Sequence, residues 1–323
     1  MPANRGMTKT CWMLAAGLAL VAAGCSNTQN GLTAEKPPAP PALRMGVIPY
    51  DKPEAIQEQY QQFGDYIARK LGAPSATVSV ASDYVGVITA LENDQIDVAY
   101  LNPLSYAIAQ DRAQKNGHAL PAIAMPYVIT KGQNKGSLTY EGVIFVRADS
   151  GIKSLKDLKG KTVAFNEQTS TSGYLYPAAM FLKIGINPKP KSEGGDLKDA
   201  LFAGATGVVP AVFNKQVDAG AIFDEGIQLS LPNPADQAQI KVIAKTDPIP
   251  NGMLVARADL PPDQVAKLKA ALQTINTEPA GKKALAEMRV EKWAPADDSL
   301  FDPVRKTATV LGLGLESLDK KKG

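Results

Sequence analysis

The sequence predicts an α/β protein with two similar lobes, and three observations lead to this fold class. Short apolar segments typical of strands alternate with segments of helical spacing, which is the pattern of parallel βαβ units. This order occurs near residues 43–106 and again near 161–225. Two loop-like stretches, near 126–140 and 246–252, predict two crossings between the lobes. We therefore expect two parallel or mixed sheets, flanked by helices and joined by a two-strand hinge.

The predicted elements follow one another in the same order in each lobe. In the first lobe they are a strand at 43–49, a helix at 53–71, a strand at 76–80, a helix at 85–92 and a strand at 96–101. In the second lobe a strand at 161–165 and a helix ending at Gly185 are followed by a strand at 217–223. A returning strand at 253–257 and amphipathic helices at 261–272 and 277–288 complete the first lobe.

A weak internal repeat supports the two-lobe interpretation. Residues 94–100 and 215–225 both read as a helix end, then Gln, a β-branched residue, Asp and an apolar strand. Ligands of open α/β sheets lie beyond the carboxyl ends of strands. Tyr50, the loop after Tyr100, Ser170 to Ser172 and Asp224 are therefore expected to face one crevice, which would close by hinge motion.

The amino-terminal residues predict export and a lipid anchor. Arg5 and Lys9 precede an apolar stretch at 11–23, which is short for a bilayer span. Small residues then lead to Cys25, a pattern that resembles the lipobox of bacterial lipoproteins. The alternative is a plain secretory signal with a chance cysteine. We expect a signal peptide at 1–24, a lipidated Cys25 with a Pro-rich tether at 25–42, one lobe at 43–130 plus 250–323 and the other at 131–249.

Composition argues against catalysis, metal binding and nucleic-acid binding. Cys11 and Cys25 are the only cysteines, so the mature domain would contain no unmodified thiol. The single histidine, His118, lies in a polar run, and no cluster has metal-ligand spacing. Cleavage of the signal removes Arg5 and Lys9 but no acid, so the net charge falls from +3 to +1. We expect no enzyme activity, no cofactor and no metal.

Residues 161–174 form the segment with the clearest chemistry. A short strand leads through a polar loop to Ser170, Thr171 and Ser172, and a helical pattern follows. Free N–H groups and the positive end of the macrodipole attract anions to a helix amino terminus. Three hydroxyl groups there would complete a site for a tetrahedral oxyanion. The alternative is an ordinary helix cap, since Ser and Thr favour that position.

Six segments together resemble the phosphonate/phosphite/phosphate-binding lipoproteins of ABC importers. They are LRMGVIP at 43–49, SDYVGV at 82–87, IDVAYLNPLSY at 96–106, SGIKSLKDLKGK at 150–161, STSGYL at 170–175 and VDAGA at 217–221. The resemblance covers residues 43 to about 290 and implies the bilobed type II periplasmic-binding-protein fold.

The resemblance implies a set of ligand-binding residues. Hydroxyls and amides of Ser170, Thr171 and Ser172 would hold the oxyanion, with Tyr84 from the first lobe and Asp224 from the second. The Asp224 carboxylate would accept a hydrogen bond from an oxyanion that keeps a proton and would repel a fully ionised one. Its alternatives are a helix cap or a surface acid. Further candidates, placed only by their positions at strand ends or crossings, are Tyr50, Tyr100, Asn102 and Tyr127.

One departure from the family concerns the small-residue turn at 202–207. Members of the family usually place a histidine after this turn, whereas this sequence offers only Thr206 as a donor. A neutral hydroxyl would replace a charged donor there, so the ligand is expected to differ in size, protonation or affinity.

The predicted function is capture of a phosphorus oxyanion (phosphonate, phosphite or phosphate) by an extracytoplasmic lipoprotein. The expected partners are an ABC importer permease with its ATPase and a membrane reached through the lipid, but no nucleic acid. The protein is expected to be a monomer on the periplasmic or extracellular face of a bacterial membrane. Two alternatives remain: a receptor for a sulfonate, carboxylate or other organic anion, and a sensory solute receptor for a membrane kinase.

Overall fold

The structure is a computed structural model that describes residues 41–130 and 133–312. The predicted signal peptide, Cys25 and the tether up to residue 40 lie outside the described residues, as do residues 313–323. Within the described ranges, none of the helices has the length and apolar character needed to cross a membrane.

The described residues form thirteen strands and ten α-helices. The strands are β1 Leu43–Val47, β2 Ala76–Val80, β3 Val98–Leu101, β4 Ala122–Val128, β5 Thr139–Tyr140, β6 Gly142–Arg147, β7 Thr162–Phe165, β8 Asp199–Phe202, β9 Ala219–Phe223, β10 Ile240–Lys245, β11 Ile249–Pro250, β12 Met253–Ala256 and β13 Val290–Pro295. The helices are α1 Pro53–Lys70, α2 Tyr84–Glu92, α3 Pro103–Lys115, α4 Tyr176–Lys183, α5 Gly204–Phe213, α6 Gly226–Ser230, α7 Pro234–Gln237, α8 Pro262–Thr274, α9 Pro279–Glu287 and α10 Asp302–Val310.

Two mixed sheets form the framework. The first has the order β13-β4-β12-β3-β1-β2, and the second has the order β10-β6-β9-β7-β8. Strand β1 is parallel to β2 and β3, and β7 is likewise parallel to β8 and β9. Strand β12 pairs antiparallel with β3 and β4, β13 with β4, and β6 with β9 and β10. This arrangement confirms the predicted α/β class with two mixed sheets.

Two short strands connect the sheets. The chain passes from β4 to β6 through β5 and returns from β10 to β12 through β11. Strands β5 and β11 pair antiparallel, with Tyr140 opposite Ile249 and Thr139 opposite Pro250. These are the two crossings of the predicted two-strand hinge.

The internal repeat has a structural basis in two aspartates. The backbone N–H of Arg44 donates to Asp97 Oδ2 at 2.8 Å, and that of Thr162 donates to Asp218 Oδ2 at 2.8 Å. In return, Asp97 N donates to Arg44 O at 2.8 Å and Asp218 N to Thr162 O at 3.0 Å. Each aspartate therefore ties the loop before one strand to the beginning of the adjacent parallel strand.

Apolar layers cover both faces of each sheet. In the first sheet, α1, α8 and α9 pack on one face, where the rings of Phe63 and Trp293 stack at 5.1 Å. In the second sheet, successive side chains of β6 point to opposite faces. Val143 and Phe145 pack with α5, whereas Ile144 and Val146 pack with Phe181 of α4. Burial on both faces explains the continuous apolar character of these strands in the sequence.

Candidate functional site

A cavity of about 430 Å³ lies between the two sheets. Its wall contains residues that follow the carboxyl ends of β1, β3, β7 and β9, as the strand-end rule predicts. Of the residues proposed from the sequence, the cavity wall includes Tyr50, Tyr84, Tyr100, Asn102, Ser170, Thr171 and Ser172. The structure therefore brings these side chains together, although they come from distant parts of the chain.

Three of the proposed residues, all within the described ranges, do not line the cavity. Asp224 is not part of the cavity wall, although its neighbours Phe223 and Glu225 are. The ring of Tyr127 lies under Lys292 Nζ, 4.6 Å from the ring centre, and Thr206 is exposed on the first turn of α5. The hydroxyl that stands in for the family histidine thus points to solvent in this structure.

The hydroxyl cluster begins a helix through an unusual first turn. Ser170 Oγ accepts the backbone N–H of Gly173 at 3.1 Å, so the ordinary cap interpretation applies to this residue. A five-residue π-helical turn, Thr171–Leu175, then leads into α4. A Cβ at Gly173 would lie 2.5 Å from Asn166 Cβ, so only glycine permits this close approach. As a cap, Ser170 uses an oxygen lone pair and keeps its proton for donation.

Thr171 bonds to the opposite lobe rather than pointing a free hydroxyl into the cavity. Its Oγ1 accepts the backbone N–H of Leu104 at 2.9 Å and lies 3.2 Å from Asn102 Oδ1, to which it donates. Asn102 also caps α3 by accepting the N–H of Ser105 at 2.8 Å, and its Nδ2 donates to Thr169 O at 3.3 Å. These two side chains tie the starts of α3 and α4 together.

Tyr84 supplies a neutral hydroxyl to the same region. It is 3% exposed, and its oxygen accepts from Asn166 Nδ2 at 3.1 Å. Burial raises the pKa of the Tyr84 phenol, and this effect exceeds the opposing hydrogen bonds from Asn166 and Ser170. The phenol therefore keeps its proton and remains a donor above its ordinary titration range.

Tyr140, on hinge strand β5, plays a similar part that the sequence did not reveal. Burial raises the pKa of its phenol above the ordinary value, while a hydrogen bond with Ser172 acts in the opposite direction. Both phenols thus lie beside a serine hydroxyl of the cluster. Such hydrogen-bond donors can stabilise a bound anion without a formal positive charge on the protein.

A cluster of tyrosines forms the wall contributed by the first lobe. The ring centres of Tyr50 and Tyr60 are 6.5 Å apart, and those of Tyr60 and Tyr100 are 5.9 Å apart. Tyr50 donates its hydroxyl to Gln59 Oε1 at 2.6 Å. Burial raises the pKa of Tyr100 to about 12, so this side chain also stays neutral. The tyrosine rings form an apolar surface that could contact the organic part of a ligand.

Three polar residues of the cavity wall, Arg289, Glu225 and Asn251, were not among the ligand-binding residues predicted from the sequence. Arg289, between α9 and β13, forms an ion pair with Glu225, which follows β9. Asn251, beside the returning hinge strand, donates to Pro126 O at 2.9 Å and to Ser137 O at 2.7 Å. The positions of Asn251 and Tyr140 at the predicted crossings were a usable signal, whereas nothing in the local sequence marked Arg289.

The polar groups of the inner cavity are mostly neutral hydrogen-bond donors. No group of three His, Cys, Asp or Glu side chains suited to a metal ion occurs in the part of the chain that the structure describes. The inner cavity instead combines two serine hydroxyls, two protonated phenols and the start of a helix. Such a set offers hydrogen-bond donors of the kind that the oxygens of an oxyanion accept.

Comparison with known proteins gives a consistent result. Residues 45–301 match the family model described as an ABC transporter phosphonate periplasmic substrate-binding protein. The chain is 28% identical over 314 residues to the phosphate-import protein PhnD of Mycolicibacterium smegmatis, covering 92% of this chain and 94% of that protein. It is 29% identical over 276 residues to the phosphonates-binding periplasmic protein of Escherichia coli, covering 83% and 76% of the two chains.

A solved structure supports the fold independently. PhnD1 from Prochlorococcus marinus, determined in complex with methylphosphonate, superimposes with a TM-score of 0.72. The match covers 84% of this chain and 98% of that one at 18% identity, which establishes the shared bilobed fold. Because the family model spans most of the chain, this protein belongs to the periplasmic substrate-binding proteins of phosphonate ABC transporters.

Proposed function

We propose that this protein is a lipid-anchored receptor that binds a phosphorus oxyanion between its two lobes and delivers it to an ABC importer permease. The carrying observation is that Ser170 and Ser172 meet the protonated phenols of Tyr84 and Tyr140 at one cavity wall. The relatives' names, which include a phosphate-import protein and a phosphonates-binding protein, support this ligand class.

Titration calorimetry tests the ligand assignment directly. Purified protein without its signal peptide is titrated with phosphate, phosphite, methylphosphonate, aminoethylphosphonate and sulfate. We expect at least one phosphorus oxyanion to bind, and Ser170→Ala to weaken it about tenfold, the scale of one hydrogen bond to a charged group. Binding of sulfate alone, or of none of these anions, would overturn the assignment.

Asp224 remains a proposed determinant of ligand protonation. Burial, and then the neighbouring charge of Glu225, raise the pKa of its carboxyl group, and Asp224 Oδ1 accepts the backbone N–H of Glu225 at 3.1 Å. Its proposed role requires that Asp224→Asn weaken phosphate binding without weakening sulfate binding. An equal loss of affinity for both anions would mean that Asp224 only stabilises the loop that contains Glu225.

The anchor and the lobe boundaries are part of the same proposal. Cys25 would carry the lipid, residues 26–42 would act as the tether, and the lobes would comprise 43–130 plus 250–323 and 131–249. The described hinge strands β5 and β11 lie close to these boundaries. Cys25→Ser should release a monomeric protein from the membrane fraction, which detergent partitioning and light scattering measure.

A further inference from the structure

An ion pair between Glu225 and Arg289 crosses the crevice at the cavity wall. Glu225 follows β9 in the second sheet, whereas Arg289 precedes β13 in the first sheet. Their side chains are 14% and 40% exposed, so the carboxylate is largely withdrawn from water. Because the partners stand on different sheets, the pair requires the two sheets to approach each other.

The backbone holds Arg289 firmly in a conformation that favours glycine. Its φ is 52°, in the left-handed region where a side chain is strained. Its carbonyl accepts the backbone N–H of Ile129 at 2.7 Å, and Gln59 Nε2 donates to the preceding carbonyl of Met288 at 3.4 Å. An arginine at such a position directs its guanidinium into the crevice despite the cost of the backbone geometry.

The other charged residues of the described cavity wall are acidic. The cavity wall contains four carboxylates, those of Asp51, Glu58, Glu225 and Glu287. Among the described residues of that wall, Arg289 provides the single cationic side chain. Without the guanidinium, this part of the cavity would attract a positively charged ligand group.

The cavity has room for such a group. Its 430 Å³ is roughly fourteen times the ~30 Å³ that a water molecule occupies in the liquid, far more than a bare oxyanion needs. If the oxyanion group of a ligand accepts hydrogen bonds from the serine and tyrosine hydroxyls, the substituent on its phosphorus atom extends into the remaining space. The chemistry of that space then decides which substituents are accepted.

We propose, building on the proposed function, that Arg289 is a specificity-determining residue that excludes ammonium-bearing ligands. By pairing with Glu225, its guanidinium occupies the carboxylate that a ligand's ammonium group would otherwise contact. An ammonium group would have to displace the guanidinium or lie beside a like charge, and both cost binding free energy. Oxyanions with neutral substituents avoid this cost.

A matched pair of ligands tests the proposal. Ethylphosphonate and 2-aminoethylphosphonate have the same carbon chain and differ by the terminal amino group. Calorimetry on the wild type should show at least tenfold tighter binding of ethylphosphonate. Arg289→Met keeps the aliphatic length without the charge, and should shift the affinity ratio at least tenfold toward the amino compound, which corresponds to about 1.4 kcal/mol.

Two control variants make the result specific. Adding Glu225→Gln to Arg289→Met should abolish the gained affinity for the amino compound, because the negative charge that attracts the ammonium group is then gone. Lys292→Met removes a cation that lies over Tyr127 outside the described cavity wall, and should leave the ratio unchanged. Thermal unfolding confirms that each variant is folded before its ratio is interpreted.

The outcomes separate this inference from the proposed function. Ethylphosphonate binding with an unchanged ratio in Arg289→Met, or a wild type that prefers the amino compound, would overturn the role of Arg289 and leave the receptor function standing. A wild type that binds no phosphorus oxyanion would overturn the receptor function and this inference with it.

Discussion

Leu104 donates its backbone N–H to Thr171 Oγ1 at 2.9 Å, joining the start of α3 in one lobe to the hydroxyl cluster of the other. The same hydroxyl donates to Asn102 Oδ1, so its proton is already engaged. Of the three clustered hydroxyls, the middle one therefore stabilises contact between the lobes. We propose that the hydroxyls of Ser170 and Ser172, on either side of it, contact the ligand.

Thr171→Val should weaken ligand binding by opening the crevice. Valine matches threonine in shape but leaves the buried N–H of Leu104 without its partner, which costs about 1–3 kcal/mol. Methylphosphonate affinity should fall about 10- to 100-fold, mainly through faster dissociation, as stopped-flow kinetics would show. Thr171→Ser retains the hydroxyl and should stay within about threefold of wild type, whereas wild-type kinetics in Thr171→Val would contradict this account.

Tyr84→Phe should lower methylphosphonate affinity about 10- to 100-fold, since a hydrogen bond to a charged group contributes about 1.5–3 kcal/mol. The substitution also leaves Asn166 Nδ2 without the acceptor it has at 3.1 Å. Calorimetry measures the loss. Tyr66→Phe provides the control, because Tyr66 lies in the core of the first lobe, where its hydroxyl is 3.4 Å from Ala271 O.

The contribution of Tyr84 to ligand affinity should also persist at alkaline pH. Burial raises the pKa of this phenol above the ordinary 10.0, and a raised pKa keeps an acid protonated to higher pH. The affinity ratio of wild type to Tyr84→Phe should therefore stay constant up to pH 10. A ratio that falls toward one between pH 9 and 10 would show that the phenol ionises normally.

The sequence predicted the features that depend on local pattern. Alternation of strands and helices gave the α/β class, and the repeat at Asp97 and Asp218 marked equivalent places because each aspartate accepts a backbone N–H at 2.8 Å. The cavity lies beyond the carboxyl ends of β1, β3, β7 and β9, where the strand-end rule directs attention. These features follow from short-range periodicity and from a topological rule that holds for all such sheets.

The features that could not be predicted arise from contacts between distant segments. Nothing near Arg289 shows that it meets Glu225, since 64 residues separate them and the pairing depends on the approach of the lobes. For the same reason the sequence did not show that Thr171 bonds to Leu104. A third limit applies at Phe223, Asp224 and Glu225, since a strand-end rule alone cannot choose which of these neighbours lines the cavity, and the role of Asp224 stays a prediction.

Gly173→Ala should damage the hydroxyl cluster while sparing the rest of the fold. The added Cβ would lie 2.5 Å from Asn166 Cβ and 2.9 Å from Ser170 Oγ, so the turn must shift. Ligand affinity should fall at least about tenfold, and overpacking should lower stability by about 1–3 kcal/mol. Gly207→Ala in α5 is the control, since its nearest neighbour is Ala203 Cβ at 3.1 Å and alanine favours the helix.

Asp97→Asn should destabilise the first lobe in a pH-dependent manner. Burial acts to raise the pKa of Asp97, but hydrogen bonds from Arg44 and the charge of Arg257 outweigh it and lower the pKa below 3.8. A lowered folded-state pKa gives stability that is fully present above the unfolded value and lost as pH falls through the folded value. The free energy of unfolding of the wild type should thus exceed that of Asp97→Asn by about 2 kcal/mol at pH 7.

This advantage should shrink as the pH drops below 3.8, which urea unfolding at several pH values would measure. Asp263→Asn is the matched control, because Asp263 pairs with Lys267 at 3.0 Å on an exposed helix face. Such a solvent-exposed pair contributes little to stability. A difference between wild type and Asp97→Asn that is equal at pH 7 and pH 3 would mean that the Asp97 network acts through shape rather than charge.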